Sequence, residues 1–357
     1  MAERIEFLDG LRGVAATLVL IGHVGEELFK AVGGSFIDTA LDNVSPGRIG
    51  VVAFFCISGF VIPFSFRSPN AVRNFAISRF FRLYPAYWLS LASYVALCAL
   101  LGRTFPPAQI AANVTMAHTV LGQADVMGVY WTLFYELVFY LMCTIAFSLG
   151  WLARPGPVML ILIALCLGGG AVALAHYVDF PLKPPHGLAA FLAIMFFGTL
   201  CRFAVLKGDA QARRWLPWAL AAIFATVAAI GLFGYTNETL PERPIGDFTG
   251  IYLGLAMFLL AFRAKALLSR PSMIWLGNIS YSLYLLHVAC IAICVALVPY
   301  LPSATAKAAL ILAGIPFSLL VSHLCAQWVE KPMIRLGREL IKRGRRAPIY
   351  EGIEPAP

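Results

Sequence analysis

The chain has 357 residues, of which 60% are hydrophobic and only 13% charged. A soluble domain carries about a quarter charged residues, so a water-soluble globular fold is excluded and an all-α, polytopic membrane helical bundle is predicted. The formal charge of +9 invites a nucleic-acid reading, but the basic residues alternate with the apolar runs, as topology signals and anionic-lipid contacts do. The partner this implies is the lipid bilayer, with no nucleic acid.

Runs long enough to cross about 30 Å of hydrocarbon occur at 8–28, 49–66, 84–101, 128–150, 157–177, 187–206, 215–235, 248–263, 274–299 and 306–328. About ten transmembrane helices are therefore expected. With the N-terminus inside, 21 of the 27 lysines and arginines fall on the cytoplasmic side, and Lys30, Arg48, Arg103, Lys183, Arg243 and Lys307 fall outside. This asymmetry predicts an N-in and C-in topology. Residues 1–335 read as one ten-span membrane domain and 336–357 as a basic cytoplasmic tail. No cleavable signal is apparent before the first span. The stretch 108–122 is too short and polar to span, and reads as a surface or re-entrant piece. All eight cysteines lie in apolar runs, where Cys behaves as a small hydrophobe, and no metal site is expected.

The first span, FLDGLRGVAATLVLIGH from Phe7 to His23, is apolar yet carries Arg12 and His23. Eleven helical residues make about three turns, so both side chains project from nearly one face, His23 roughly 16 Å further along the axis. A histidine at that depth is a functional-site candidate; the alternative is a hydrogen-bonded histidine inside a packed bundle. In the second span Ser58 and Gly59 interrupt IGVVAFFCISGF, Gly59 for close helix packing and Ser58 either bonding its own backbone or facing a pocket.

The third span opens on ISRFFRLYPAYW. Its Arg79 and Arg82 are three apart at the cytoplasmic entrance, with Pro85 placed in the first helical turn. They are either positive-inside anchors or two guanidinium forks suited to a phosphorylated cytosolic ligand. VYWTLFYELVFY buries Glu136 among aromatics, where a carboxyl group is either uncharged or paired; pairing with an Arg or His on a neighbouring helix is the favoured reading. Tyr130 and Trp131 read as interfacial belt residues or as pocket residues. LGNISYSLYLLH supplies a second intramembrane histidine, His287, beside Tyr284. These are either polar contacts between helices or further members of a pocket.

In this order the motifs are similar to those of the acyltransferase family 3 membrane proteins, a group containing bacterial O-antigen and exopolysaccharide O-acetyltransferases and macrolide acyltransferases. The resemblance rests on Arg12-x10-His23 within LDGLRGVAA, on VVAFFCISGFVI, and on Arg79-x-x-Arg82 followed by LYPAYW. It continues through WTLFYELVFY, LGNISYSLYLLH and VEKP at Val329 to Pro332, covering roughly residues 7 to 335. Thr132 stands where the family usually has Ser.

The resemblance implies an acetyl-CoA-dependent O-acetyltransferase of the bacterial inner membrane. It would move an acyl group, usually acetyl, from cytosolic acyl-CoA to a hydroxyl of a carbohydrate or glycosylated acceptor. Acetyl-CoA is then a co-substrate, and no metal is implied. His23 becomes the general base or a covalent acyl carrier. Arg12, Arg79 and Arg82 meet the donor phosphates, and Glu136 orients His23 or neutralises an arginine. The residues alone also permit a proton-coupled transporter, although no inverted repeat is seen.

Overall fold

The computed structural model describes residues 5–66, 70–178, 186–235 and 243–346. Arg4, Arg67, Lys183 and the end of the basic tail lie outside the described residues. Among those described there is no strand. The helices run α1 (Glu6–Val32), α2 (Ser35–Asn43), α3 (Pro46–Val61), α4 (Ala71–Leu100) and α5 (Pro107–Val114), then α6 (Trp131–Ser148), α7 (Pro155–Tyr177) and α8 (His186–Leu206). They continue as α9 (Ala210–Phe233), α10 (Pro244–Ala261), α11 (Lys265–Leu268), α12 (Pro271–Leu297), α13 (Ala304–Cys325) and α14 (Lys331–Arg346). Ten helical segments among the described residues are long and apolar enough to cross a membrane, which makes the chain a polytopic helical bundle.

Helix α1 starts with Glu6 and Asp9 in its first turn, acidic groups that suit the positive end of the helix dipole. Its most extensive packing is against α12. Small residues make that approach possible: a Cβ on Gly13 would collide with Leu276, and one on Gly277 would run into the Asp9 carbonyl. With no hydrophobic driving force between helices in lipid, such close backbone contact is what dispersion forces need.

A second tight crossing joins α3 to α8. A Cβ on Gly59 would strike the Met195 carbonyl, one on Gly198 would strike the Cys56 carbonyl, and Thr199 Oγ1 donates to the Gly59 carbonyl at 2.9 Å. Gly59→Ala is therefore expected to lower the melting temperature of the purified protein, since overpacking costs about 1–3 kcal/mol. Gly168→Ala, which faces open space, should leave the melt unchanged. Equal melts for the two variants would mean that the α3–α8 crossing tolerates separation.

Two local features differ from the sequence reading or resolve it. Helix α4 begins at Ala71 rather than near residue 84, and Pro85 lies inside it. Nothing between 71 and 83 breaks a helix, and Ala71, Phe75 and Leu83 bury one face of it. Pro85 removes only one backbone donor from a ladder that is otherwise intact. Arg79 and Arg82 thus stand in the third and fourth turns and cannot use the free amides of a helix N-terminus.

The short stretch after α4 folds back against that helix. Tyr84, Tyr87 and Trp88, in the middle of α4, donate to the carbonyls of Thr115, Asn113 and Val114 at 3.0, 2.6 and 3.0 Å. The buried Asn113 side chain donates to the Gln109 and Ala124 carbonyls and accepts from the Val126 amide. The carbonyls at the end of α5 are thus paired with side chains of α4.

At the end of the bundle where α2 lies, Arg243 donates to Asp38 at 2.8 Å and to Asp42 at 2.5 Å. Hydrogen bonding to Asp38 is the main reason its guanidinium is held above its ordinary pKa.

Candidate functional site

The opposite end of the bundle opens into a cavity of about 890 Å³, near the upper limit for small-molecule sites. Its charge comes from five elements: Arg12 of α1, Arg79 and Arg82 of α4, Arg202 of α8, and Arg338 and Lys342 of α14, with Asp9 and Glu136 as the carboxylates. Arg12 is within electrostatic range of Arg82, Asp9, Glu330 and Glu136. The Arg79 guanidinium lies 5.6 Å from the Phe75 ring and 5.9 Å from the Tyr140 ring. Its Nε is buried with no acceptor, an orphan donor of the kind that calls for a ligand or another explanation.

Deeper in, the lining turns to hydroxyls. Glu136 Oε1 accepts from Tyr140 at 2.6 Å and from Ser58 at 3.4 Å, so its hydrogen-bond partners are hydroxyls rather than a guanidinium. Thr132 Oγ1 and the Tyr284 hydroxyl share a hydrogen bond at 2.6 Å, and both lie within hydrogen-bond reach of the Val129 carbonyl, at 3.0 and 2.9 Å. The Phe54 ring stands edge-on to Tyr284, centroids 6.0 Å apart. Both rings line the cavity, and the Tyr284 ring is 6.2 Å from that of His287.

His287 meets His23. Their rings are 4.9 Å apart and edge-on, with His287 Nε2 3.4 Å from His23 Nδ1. His287 is 1% exposed and His23 is half-buried. Backbone contacts settle where the protons sit on neutral rings. His287 Nδ1 is 2.9 Å from the Leu283 carbonyl and His23 Nδ1 is 3.0 Å from the Val19 carbonyl. A carbonyl only accepts, so each Nδ1 carries its ring's proton. His287 Nε2 is then an acceptor facing the His23 Nδ1–H, and His23 Nε2 keeps its lone pair.

Of the residues singled out from the sequence, Arg12, Ser58, Arg79, Arg82, Glu136 and Tyr284 line one cavity. His23 and His287 form the pair just beyond it, and no hydrogen bond or ion pair joins His23 to Glu136. Tyr130 and Trp131 are outside the lining. Tyr130 is fully buried, so it is no interfacial belt residue; it contacts Ser90 Oγ at 2.9 Å and is held against Tyr87. The Trp131 ring takes the Arg48 guanidinium at 5.5 Å, and Arg48 pairs with Asp247 at 3.1 Å.

Four residues were not singled out. Arg202 lies at the end of a span and Arg338 and Lys342 in what reads as a tail, and basic residues in those places look like topology signals. Glu330 is buried and accepts from Ser282 at 3.0 Å; the VEKP motif was its only mark in the sequence. No cluster of His, Cys, Asp or Glu among the described residues is arranged to hold a metal ion.

Comparison with known proteins matches residues 5–326 to the family described as "Acyltransferase domain", acyltransferase family 3. Over 148 residues the chain is 29% identical to acyltransferase MdmB of Streptomyces mycarofaciens, covering 39% of this chain and 38% of that protein. Over 307 residues it is 28% identical to the exopolysaccharide production protein ExoZ of Rhizobium meliloti (strain 1021), covering 82% of this chain and 91% of that one. The match thus spans well under half of the first relative and nearly the whole of the second. No solved structure matches the chain.

Proposed function

This chain belongs to acyltransferase family 3 and is a multi-pass membrane acyltransferase, and from that premise we propose that it transfers an acetyl group from cytosolic acetyl-CoA to a carbohydrate hydroxyl. The observation that carries this reading is the gradient along one cavity. Guanidinium groups crowd its mouth, hydroxyls line its depth, and the histidine pair lies one helical turn past Tyr284. A donor with phosphates at one end and a thioester at the other fits that order. The carbohydrate acceptor draws support from the relative named for exopolysaccharide production.

In the reaction we infer, the acceptor hydroxyl gives its proton to His23 Nε2 as its oxygen bonds to the thioester carbonyl carbon. The C–S bond breaks, and the thiolate takes that proton back from His23 Nε2 and leaves as the free thiol. The Val19 carbonyl accepts from the His23 Nδ1–H and so holds the ring in the tautomer that leaves Nε2 basic, with His287 Nε2 facing the same proton at 3.4 Å. Alternatively Nε2 attacks the thioester first and expels the thiolate; the acceptor hydroxyl then attacks the acyl-imidazole, the acyl–Nε2 bond breaks, and the hydroxyl proton ends on the thiolate as the free thiol.

Glu136 lies within electrostatic range of Arg12 and accepts from the hydroxyls of Tyr140 and Ser58. Glu136→Gln preserves shape and should lower the transfer rate about ten-fold or more, the scale of one hydrogen bond to a charged group, with no change in melting temperature. Unchanged transfer would remove that charge from the mechanism.

The orientation follows from the donor. We place the chain in the bacterial cytoplasmic membrane with the cavity mouth and both termini inside. A reporter fused after Phe36 should read outside and one after Arg73 inside; the reverse would turn the mouth away from the cytosol. The function itself is tested by the ester content of surface carbohydrate. Deleting the gene should remove base-labile acetyl esters, and complementation with wild type should restore them while His23→Ala should not. Identical ester profiles in all strains would sink the carbohydrate acceptor.

A further inference from the structure

We propose that α14 carries a second phosphate subsite at the cavity mouth. In it, Arg338 and Lys342 take a phosphomonoester set apart from the diphosphate held at Arg79 and Arg82. This rests on the acyl-CoA reading above and narrows it: the donor recognised is the 3′-phosphorylated nucleotide form, not merely a thioester on a pantetheine arm.

Four observations point this way. Arg338 and Lys342 are four residues apart on α14 and therefore share one face, and both line the cavity. Neither pairs with a carboxylate among the described residues. An anchoring tail would normally turn such side chains to lipid headgroups, whereas here the same face meets a space already lined by four arginines.

Second, α14 is seated on the wall that carries the diphosphate site. A Cβ on Gly337 would lie 2.8 Å from the Phe81 side chain, and Phe81 falls between Arg79 and Arg82 on α4. A residue without a side chain next to Arg338 thus sets α14 directly against the turn that presents both arginines.

Third, the approach to α14 is fixed. A π-helical turn, Ala326–Glu330, joins α13 to α14, and Glu330 at its end is buried and held by Ser282 at 3.0 Å. Irregular turns of this type recur at functional sites, and this one sets the rotation of everything after it.

Fourth, the charges match. Six basic side chains share the lining with two carboxylates, an excess of four positive charges. A phosphomonoester carries about −1.5 to −2 at neutral pH. With a diphosphate of about −2, the whole donor brings roughly −4, whereas a diphosphate alone would leave about half the excess uncompensated.

The test is equilibrium binding of CoA, 3′-dephospho-CoA and pantetheine to the purified full chain in discs of neutral lipid. Binding alone is measured, so no acceptor is needed. Wild type should bind CoA about ten- to a hundred-fold more tightly than 3′-dephospho-CoA, the scale of one or two charge-assisted contacts, with pantetheine weaker still.

In Arg338→Ala/Lys342→Ala, and in the length-preserving Arg338→Gln/Lys342→Gln, CoA should weaken to the level of 3′-dephospho-CoA. The affinity for 3′-dephospho-CoA should stay within about two-fold of wild type. Wild type binding the two nucleotides equally would overturn the subsite and leave the donor reading standing. Variants that weaken both nucleotides equally would also overturn it, reducing α14 to a general positive field. Discrimination seen only when anionic lipid is added would assign the residues to headgroups instead. No CoA binding to wild type would overturn the donor reading and the subsite together.

Discussion

His23→Ala is expected to slow acyl transfer by about 10²- to 10⁴-fold, the range for losing a positioned general base, while insertion and abundance stay near wild type. The imidazole is half-buried at a helix–helix contact and a smaller side chain fits there, so folding should survive. The two-histidine geometry adds a graded expectation. His287→Gln keeps a side-chain acceptor for the His23 Nδ1–H and should retain more activity than His287→Leu, which has none. Rates of purified variants at saturating donor decide this. Activity of His23→Ala within a few-fold of wild type would remove the residue from the chemistry, and equal rates for the two His287 variants would make that histidine a packing residue.

Arg79→Ala and Arg82→Ala are expected to raise the donor KM about ten- to over a hundred-fold each, with a smaller effect on kcat. A phosphate contact is made alike in ground and transition states, so its loss weakens binding without slowing the bound complex. The magnitude is that of a charge-assisted hydrogen bond, roughly 1.5–3 kcal/mol. Lys at either position keeps the charge and loses the fork, so its KM should fall between wild type and Ala. The orphan Nε of Arg79 makes its Lys variant the more telling of the two. Titrating acetyl-CoA against each purified variant gives the answer, and an unchanged KM in both would leave them as anchors and move the donor site elsewhere.

Much of this arrangement is written in local pattern. A 60% hydrophobic chain cannot hide its spans, and Arg12, Ser58, Arg79, Arg82, Glu136 and Tyr284 stand out as polar residues in or beside apolar runs, where backbone bonding, helix contacts and topology anchoring compete with a pocket role. What pattern cannot give is which helix faces which. The contact between His23 and His287 joins residues far apart in sequence, created by small residues such as Gly13 and Gly277 that let α1 and α12 touch.

Amphipathic sequence ahead of an apolar run conceals where a helix starts. Residues 71–83 of α4 look like a loop to a hydropathy window because their buried face is narrow. Arg338 and Lys342 were hidden for a related reason. Basic residues after a last span are the ordinary topology signal, and only the seat of Gly337 on Phe81 turns them toward the cavity.

The most direct measurement is acyl transfer by purified protein reconstituted in sealed vesicles, with acetyl-labelled CoA supplied only at the face that bears the basic cavity mouth. Label on the protein or on added glycan acceptor and release of free CoA thiol are followed together. The expected result is stoichiometric thiol release coupled to base-labile label, from that face alone, and loss of both in His23→Ala. Thiol release unaffected by His23→Ala, transfer driven only from the opposite face, or proton-coupled solute movement with no thiol released would contradict it.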